Sequence, residues 1–159
     1  MPDTTTPEPP DTAHEGRLSY AIFQLARAHR AHAAAMLRAL NLHPGQELLL
    51  MQLFERDHQT QAELLERVGL DHSTVSKSLR RMQEAGLLTR EPAPHDRRVM
   101  MVHLTDAGRS LREPIADMWR TLEQLSVRDL TSDQVELFTT WARTIEKSLR
   151  EHSRQTPAE

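Results

Sequence analysis

The chain contains no cysteine. Disulfides, thiolate nucleophiles, Cys-based zinc sites and sensing by thiol oxidation are therefore excluded. Aromatic residues make up only 4% of its 159 residues, so a core has to be assembled from Leu, Met, Ala and Val. That is thin for a monomer of this length and favours a helical chain that completes its core against a second copy of itself. Glycine occurs five times, with no glycine-rich phosphate loop, no His-Glu-x-x-His and no nucleophile elbow. These absences argue against an enzyme and against a bound cofactor. No apolar run approaches the roughly 20 residues of a membrane span, and the first residues lack a basic-then-apolar signal pattern. A soluble cytoplasmic chain without membrane contact is the expectation.

Formal net charge is −3, which taken alone speaks against nucleic acid as a partner. The charge is unevenly placed, however. Residues 1–16 hold Asp3, Glu8, Asp11 and Glu15 with no Lys or Arg, so without this tail −3 becomes +1. From Asp71 to Arg98, six cations (Lys77, Arg80, Arg81, Arg90, Arg97, Arg98) face four acids (Asp71, Glu84, Glu91, Asp96), a surplus of +2. So small a surplus makes the placement of the cations, not their number, the informative quantity.

Composition and periodicity divide the chain into segments. Residues 1–16, rich in Pro, Thr and acid, read as a disordered tail, and residues 153–159 as a frayed end. Between them, 17–152 reads as one domain, with long amphipathic helices flanking a more punctuated middle at 44–105. The first flanking helix is expected from Arg17 to Leu40, with Leu18, Ile22, Leu25, Met36 and Leu40 at helical spacing. The segment 106–152 carries two more. Leu111, Ile115, Trp119, Leu122 and Leu125 mark one, in which Pro114 predicts a kink. Val135, Phe138, Trp141, Ile145 and Leu149 mark the other, opened by Thr131 and Gln134 at capping-box spacing. Such helices suit a dimerisation layer; periodicity alone is also compatible with a self-contained bundle.

In the middle, "HPGQELLLMQLFERD" predicts a helix from Pro44 to Arg56 with proline in its first turn. "TQAELLERVGL" predicts a second, capped by Thr60 with Glu63 and ended by Gly69. After the link Gly69-Leu70-Asp71, "HSTVSKSLRRMQEAG" predicts a third, closed by Gly86. Extended runs at Leu87–Glu91 and Arg98–Leu104, separated by "PAPHDR", predict a hairpin. The fold class is thus mainly α with a small β-hairpin wing, a winged helix-turn-helix lobe plus long terminal helices.

On the third of these helices, Val75, Leu79 and Met82 fall on one face. At about 100° per residue Ser73, Lys77 and Arg80 lie opposite, with Ser76 and Arg81 on the shoulders. Hydroxyls in the first turns and cations further along suit a helix entering a DNA major groove by its N-terminal end, where free first-turn N–H groups would favour a phosphate. An ordinary solvated helix shows the same residue types, usually with more acids. The hairpin adds Arg97 and Arg98 at its tip, where a planar guanidinium fork suits phosphate or a narrow groove. Asp96 beside them is expected to shape the wing, either by pairing with an arginine or by capping the loop backbone.

These residues resemble the MarR (multiple antibiotic resistance regulator) family of winged-helix transcription factors. "DRRVMMVHLT" matches its wing pattern Asp-x-Arg-x5-Leu-Thr through Asp96, Arg98, Leu104 and Thr105, and "DAGRSL" resembles the start of its next helix. The resemblance spans about Arg17 to His152. It implies a homodimer joined through its terminal helices, a repressor bound to pseudo-palindromic double-stranded operators in a bacterial or archaeal cytoplasm, with half-sites about one helical turn apart. It places DNA contacts on Ser73, Thr74, Ser76, Lys77 and Arg80 and, in the wing, on Arg97 and Arg98; Arg81, on the shoulder of the same helix, is a further candidate. It also implies a small, often aromatic or phenolic effector. The candidate lining is His29, His32, Arg38, His43, Glu47 and Met51, with Leu50 and Trp119 as further walls. The histidines also permit a zinc-responsive reading, although no close match to a zinc ligand pattern is present and no metal site is assigned. The remaining alternatives are a ligand-independent regulator and a protein-binding winged helix.

Overall fold

A computed structural model describes residues 10–155. Its elements are α1 (Arg17–Ala39), α2 (Gln46–Glu55), β1 (Gln59–Thr60), α3 (Gln61–Val68), α4 (His72–Glu84), β2 (Leu88–Pro92), β3 (Met100–Leu104), α5 (Asp106–Ser110), α6 (Arg112–Val127) and α7 (Ser132–Gln155). They fall into two compact units, one through Arg120 and one from Thr121. Among the described residues no helix is long and apolar enough to cross a membrane. Of the tail read as disordered, residues 1–9 lie outside the described residues, whereas Asp11–Gly16 forms a 3-10 helix leading into α1. At the other end the helical backbone runs on through Gln155, and 156–159 lie outside the described residues.

The core of the first unit is aliphatic, as the scarcity of aromatics requires. Leu37, Leu49, Leu50, Leu53, Leu64, Val75, Leu79, Met82, Leu88 and Val102 are all buried within it. The wing is a three-stranded antiparallel sheet in the order β1-β3-β2, one strand more than a hairpin. Gln59 pairs with Val102 and Thr60 with Met101. A two-residue strand is too short to show an alternation of its own. β2 is an edge strand, which is why it tolerates Pro92 as its last residue.

Local chemistry explains most of the boundaries. α2 starts two residues later than its proline suggested, because Gly45 takes the left-handed conformation (φ 94°) and forms the N-cap. The next side chains close the turn: the His43 N–H donates to Gln46 Oε1 at 2.9 Å and the Gly45 N–H to Glu47 Oε2 at 2.7 Å. α4 ends in a Schellman motif, with Gly86 at φ 72°, the Leu87 N–H on the Met82 carbonyl and the Gly86 N–H on the Gln83 carbonyl. Leu87 is thereby used by the helix end, and the strand begins at Leu88. The kink anticipated from Pro114 is a break at Leu111 between α5 and α6. Proline lacks an N–H and crowds the carbonyl four residues back, here that of Ser110.

α3 carries the capping box its sequence predicts. Glu63 N–H donates to Thr60 Oγ1 at 3.1 Å, and Thr60 N–H returns to Glu63 Oε2 at 2.7 Å. The Thr60 N–H first, then the Arg56 guanidinium and the Thr60 hydroxyl, pull the Glu63 carboxyl from 4.5 down to about 2. A depressed carboxyl stabilises the fold fully above its unfolded value, and the contribution is lost as pH falls from about 4.5 towards 2. Glu63→Gln should therefore melt below the wild type at pH 7, and the gap should close across that acid window in thermal melts by circular dichroism. A gap independent of pH would contradict this account.

Candidate nucleic-acid interface

α4 buries Val75, Leu79 and Met82 and turns Ser73, Lys77, Arg80 and Arg81 to solvent, with Thr74 and Ser76 half-buried. Arg80 reaches Glu84 one turn on at 3.8 Å, an exposed pair of little strength. Lys77 and Arg81 have no ion pair among the described residues. The start of α4 differs from the expectation of open N–H groups awaiting a phosphate. Asp71 is its N-cap, and Asp71 Oδ1 accepts from the Thr74 N–H at 2.9 Å and from the Ser73 hydroxyl at 2.6 Å. The Thr74 hydroxyl donates to Asp71 Oδ2. The Ser73 and Thr74 hydroxyls, with the Thr74 N–H, hold the Asp71 carboxyl well below the usual carboxylate range. This end of the helix thus already carries a fixed negative charge. Ser76 Oγ, one turn further, accepts from Gln61 Nε2 of α3 at 2.8 Å.

In the wing, β2 and β3 pair from Leu88 with Leu104 to Pro92 with Met100. Asp96 caps the loop backbone: its Oδ1 accepts from the Arg98 N–H at 2.9 Å, and its carbonyl accepts from the Val99 N–H at 3.0 Å. This turn uses Arg98 and Val99, which is why β3 starts at Met100. Of the two roles expected for Asp96, the backbone cap is the one observed. Among the described residues neither Arg97 nor Arg98 has an ion pair, and both are exposed. Arg98 borders a half-open cavity of about 290 Å³ between wing, α3 and α4, together with Thr60, Gln61, His72, Val99 and Met100.

Three further sets of contacts, none evident from sequence periodicity, brace the wing, two against α4 and its C-terminal end and one against the loop after α2. Arg90 Nε donates to Gln83 Oε1 at 2.7 Å. The Thr105 hydroxyl donates to the Gly86 carbonyl at 2.6 Å and accepts from the Gly108 N–H. Asp57, in the loop after α2, accepts from the Leu104 N–H at 2.9 Å and from Arg109 at 2.6 Å, partners 47 and 52 residues away. Burial pushes its carboxyl up, but the Leu104 and His58 N–H groups and the Arg109 guanidinium outweigh this and hold it below its ordinary value.

The candidate effector residues are scattered in exposure. His32, Arg38 and His43 are exposed, His29, Met51 and Trp119 half-buried, and Glu47 and Leu50 buried. Burial raises the Glu47 carboxyl, opposed by the backbone N–H groups of Glu47 and Gly45. Trp119 Nε1 is buried with no acceptor. The cavity at the wing is lined by none of these residues. Among the described residues no group of three or more His, Asp or Glu is placed to hold a metal ion.

This lobe, a recognition-type helix beside a braced wing, has counterparts among known proteins. The sequence profile of the MarR family matches residues 30–99. The chain is 30% identical over 112 residues to the organic hydroperoxide resistance transcriptional regulator of Bacillus subtilis, covering 70% of this chain and 76% of the relative. It is 30% identical over 120 residues to the HTH-type transcriptional repressor IacR of Pseudomonas putida, covering 74% and 72% respectively. The crystal structure of a mutant E. coli MarR complexed with operator DNA superposes with a TM-score of 0.74 at 22% identity, over 80% of this chain and 92% of that one, which shows a shared fold. The chain belongs to the MarR family of winged helix-turn-helix DNA-binding transcriptional regulators, and is not an enzyme.

Proposed function

We propose that the protein is a homodimeric repressor that sets α4 of each protomer into successive major grooves of a pseudo-palindromic operator and places the wing on the flanking DNA. The observation that carries this reading is the unpaired set of cations on one side of the lobe. Lys77 and Arg81 on α4, and Arg97 and Arg98 on the wing, are exposed with no protein partner among the described residues. Cations left unpaired beside a helix with a hydroxyl-bearing face are suited to phosphate oxygens and base edges. Arg98, at the cleft between wing and α3, is assigned to the sugar-phosphate backbone, and Arg97 to the neighbouring minor groove. Dimerisation is supported by apolar side chains that each unit leaves in solvent, Leu18, Ile22, Phe23 and Leu25 on α1 and Leu137, Phe138 and Trp141 on α7. Repression agrees with the activity named for the Pseudomonas relative. Release by a small aromatic or phenolic effector is supported by the buried Trp119 indole N–H, which has no acceptor and could donate to a ligand oxygen.

Gel retardation with purified dimer tests the core of this reading. Binding should weaken steeply with salt, by about a thousandfold or more between 50 and 200 mM if about six or more phosphates are engaged. Arg98→Ala should weaken all sequences alike and reduce the salt slope by about one, while Arg97→Ala should mainly relax preference at flanking A·T pairs. Neither should lower the melting temperature, since Asp96 holds the loop through backbone N–H groups. A dimer that retards no DNA even at low salt would refute the assignment.

A further inference from the structure

The direction of the hydrogen bonds on α4 is set by two residues outside its exposed face. Ser76 Oγ accepts from Gln61 Nε2 of α3, a bond between two helices. A helical hydroxyl commonly returns its proton to the carbonyl four residues back, as Ser126, Thr139, Thr140 and Ser148 do in this protein. Ser76 makes no such bond among the described residues, so one lone pair is occupied by Gln61 and its proton is left to donate. For Ser73 and Thr74 the reverse holds. Both hydroxyls donate to the Asp71 carboxylate, so their protons are taken and only lone pairs remain to offer. Ser73 and Thr74 therefore present acceptors beside a negative charge, whereas Ser76, Lys77 and Arg80 present donors.

Base edges in the major groove differ in the same property. Cytosine N4 and adenine N6 donate, while guanine O6 and N7 and thymine O4 accept. An acceptor-only, anionic leading turn repels phosphate oxygens and matches amino groups. We propose that Asp71 and Gln61 are positioning residues that set operator specificity. Asp71 fixes Ser73 and Thr74 as acceptors selecting an amino-bearing base, cytosine or adenine. Gln61, by occupying a lone pair of Ser76, leaves its proton to donate to guanine or thymine one or two base pairs further along, since three helical residues advance about 4.5 Å. This rests on the reading that α4 enters the major groove.

The test is selection of bound half-sites from randomised DNA by full-length dimer, comparing wild type, Asp71→Ser and Gln61→Ala. Serine is as good an N-cap as aspartate, so Asp71→Ser keeps the helix capped while removing the charge and freeing hydroxyl protons. Melting curves check that each variant folds. Wild type should prefer cytosine or adenine by about fivefold or more at one position of each half-site. Asp71→Ser should lose that preference alone and bind non-specific DNA about threefold or more tightly at low salt, because a charge repelling phosphate is gone. Gln61→Ala should relax only the neighbouring position. A role confined to helix stability would move the melting curves and leave base preferences untouched. DNA bound with wild-type preferences in both variants, or a wild type with no amino-base position, overturns this proposal alone. No DNA bound by folded wild type overturns it together with the reading it rests on.

Discussion

Gly108→Ala should destabilise the protein by about 3 kcal/mol or more, the upper range for inserting a methyl group into a site that cannot yield. A Cβ at this position would lie 2.0 Å from the Leu87 carbonyl oxygen and 3.1 Å from both the Leu87 carbonyl carbon and Leu104 Cδ2. The obstacle is backbone, so no rotamer change relieves it. That carbonyl also accepts the Thr105 N–H at 3.2 Å, at the junction of α4, the wing and α5. Moving α5 away would break this bond and the Thr105 cap together. Alanine's better helix propensity, worth about 1 kcal/mol, is too small to offset the collision. The expected drop in melting temperature is about 10 °C, with weaker operator binding because the wing loses its anchor to α4. Gly16→Ala is the control: a Cβ there meets nothing within 4 Å, and the melting temperature should stay within about 2 °C. A Gly108→Ala protein as stable as wild type would show that the seam between wing and α5 is looser than described.

Trp141→Glu should convert the proposed dimer into monomers. Trp141 is 56% exposed on α7, beside Leu137 at 47% and Phe138 at 50%, an apolar cluster of a size that soluble chains usually cover. Burying one such side chain against a partner contributes about 1.5–3 kcal/mol, and a buried unpaired carboxylate opposes association further. In a symmetric dimer each substitution acts twice. A weakening of self-association by about a hundredfold or more follows, measurable by sedimentation equilibrium. Operator binding should fall with it, since joining two half-site contacts raises affinity by about 10²–10⁴ over one. Affinity for an isolated half-site should be unchanged. A variant that remains dimeric at micromolar concentration would exclude this face from the interface.

The residues whose roles were legible beforehand act over short distances along the chain. Thr60 and Glu63, three residues apart, form their capping box, and Val75, Leu79 and Met82 fall on the buried face of α4 by helical spacing. Asp96 and its Asp-x-Arg pattern marked the wing loop, although only the structure chose between its two proposed roles. α2 begins at Gln46 and not at Pro44, because a proline in the first turn and a left-handed glycine as N-cap compete over the same few residues. The structure, not the proline, resolved it through the Gln46 and Glu47 side chains.

What the sequence by itself determined was the winged helix-turn-helix plan, its family, and which faces of the helices are apolar or cationic. Periodicity, caps and turn residues report interactions three or four positions apart, and those survive in any tertiary setting. Only the tertiary structure decided how the lobe is held together and what the Ser76 hydroxyl meets. Asp57 finds its partners 47 and 52 residues on, Gln61 finds Ser76 fifteen residues on, and β1 exists only because β3 returns beside it. Each depends on the chain folding back, so that a polar group meets a donor or acceptor that no local spacing encodes.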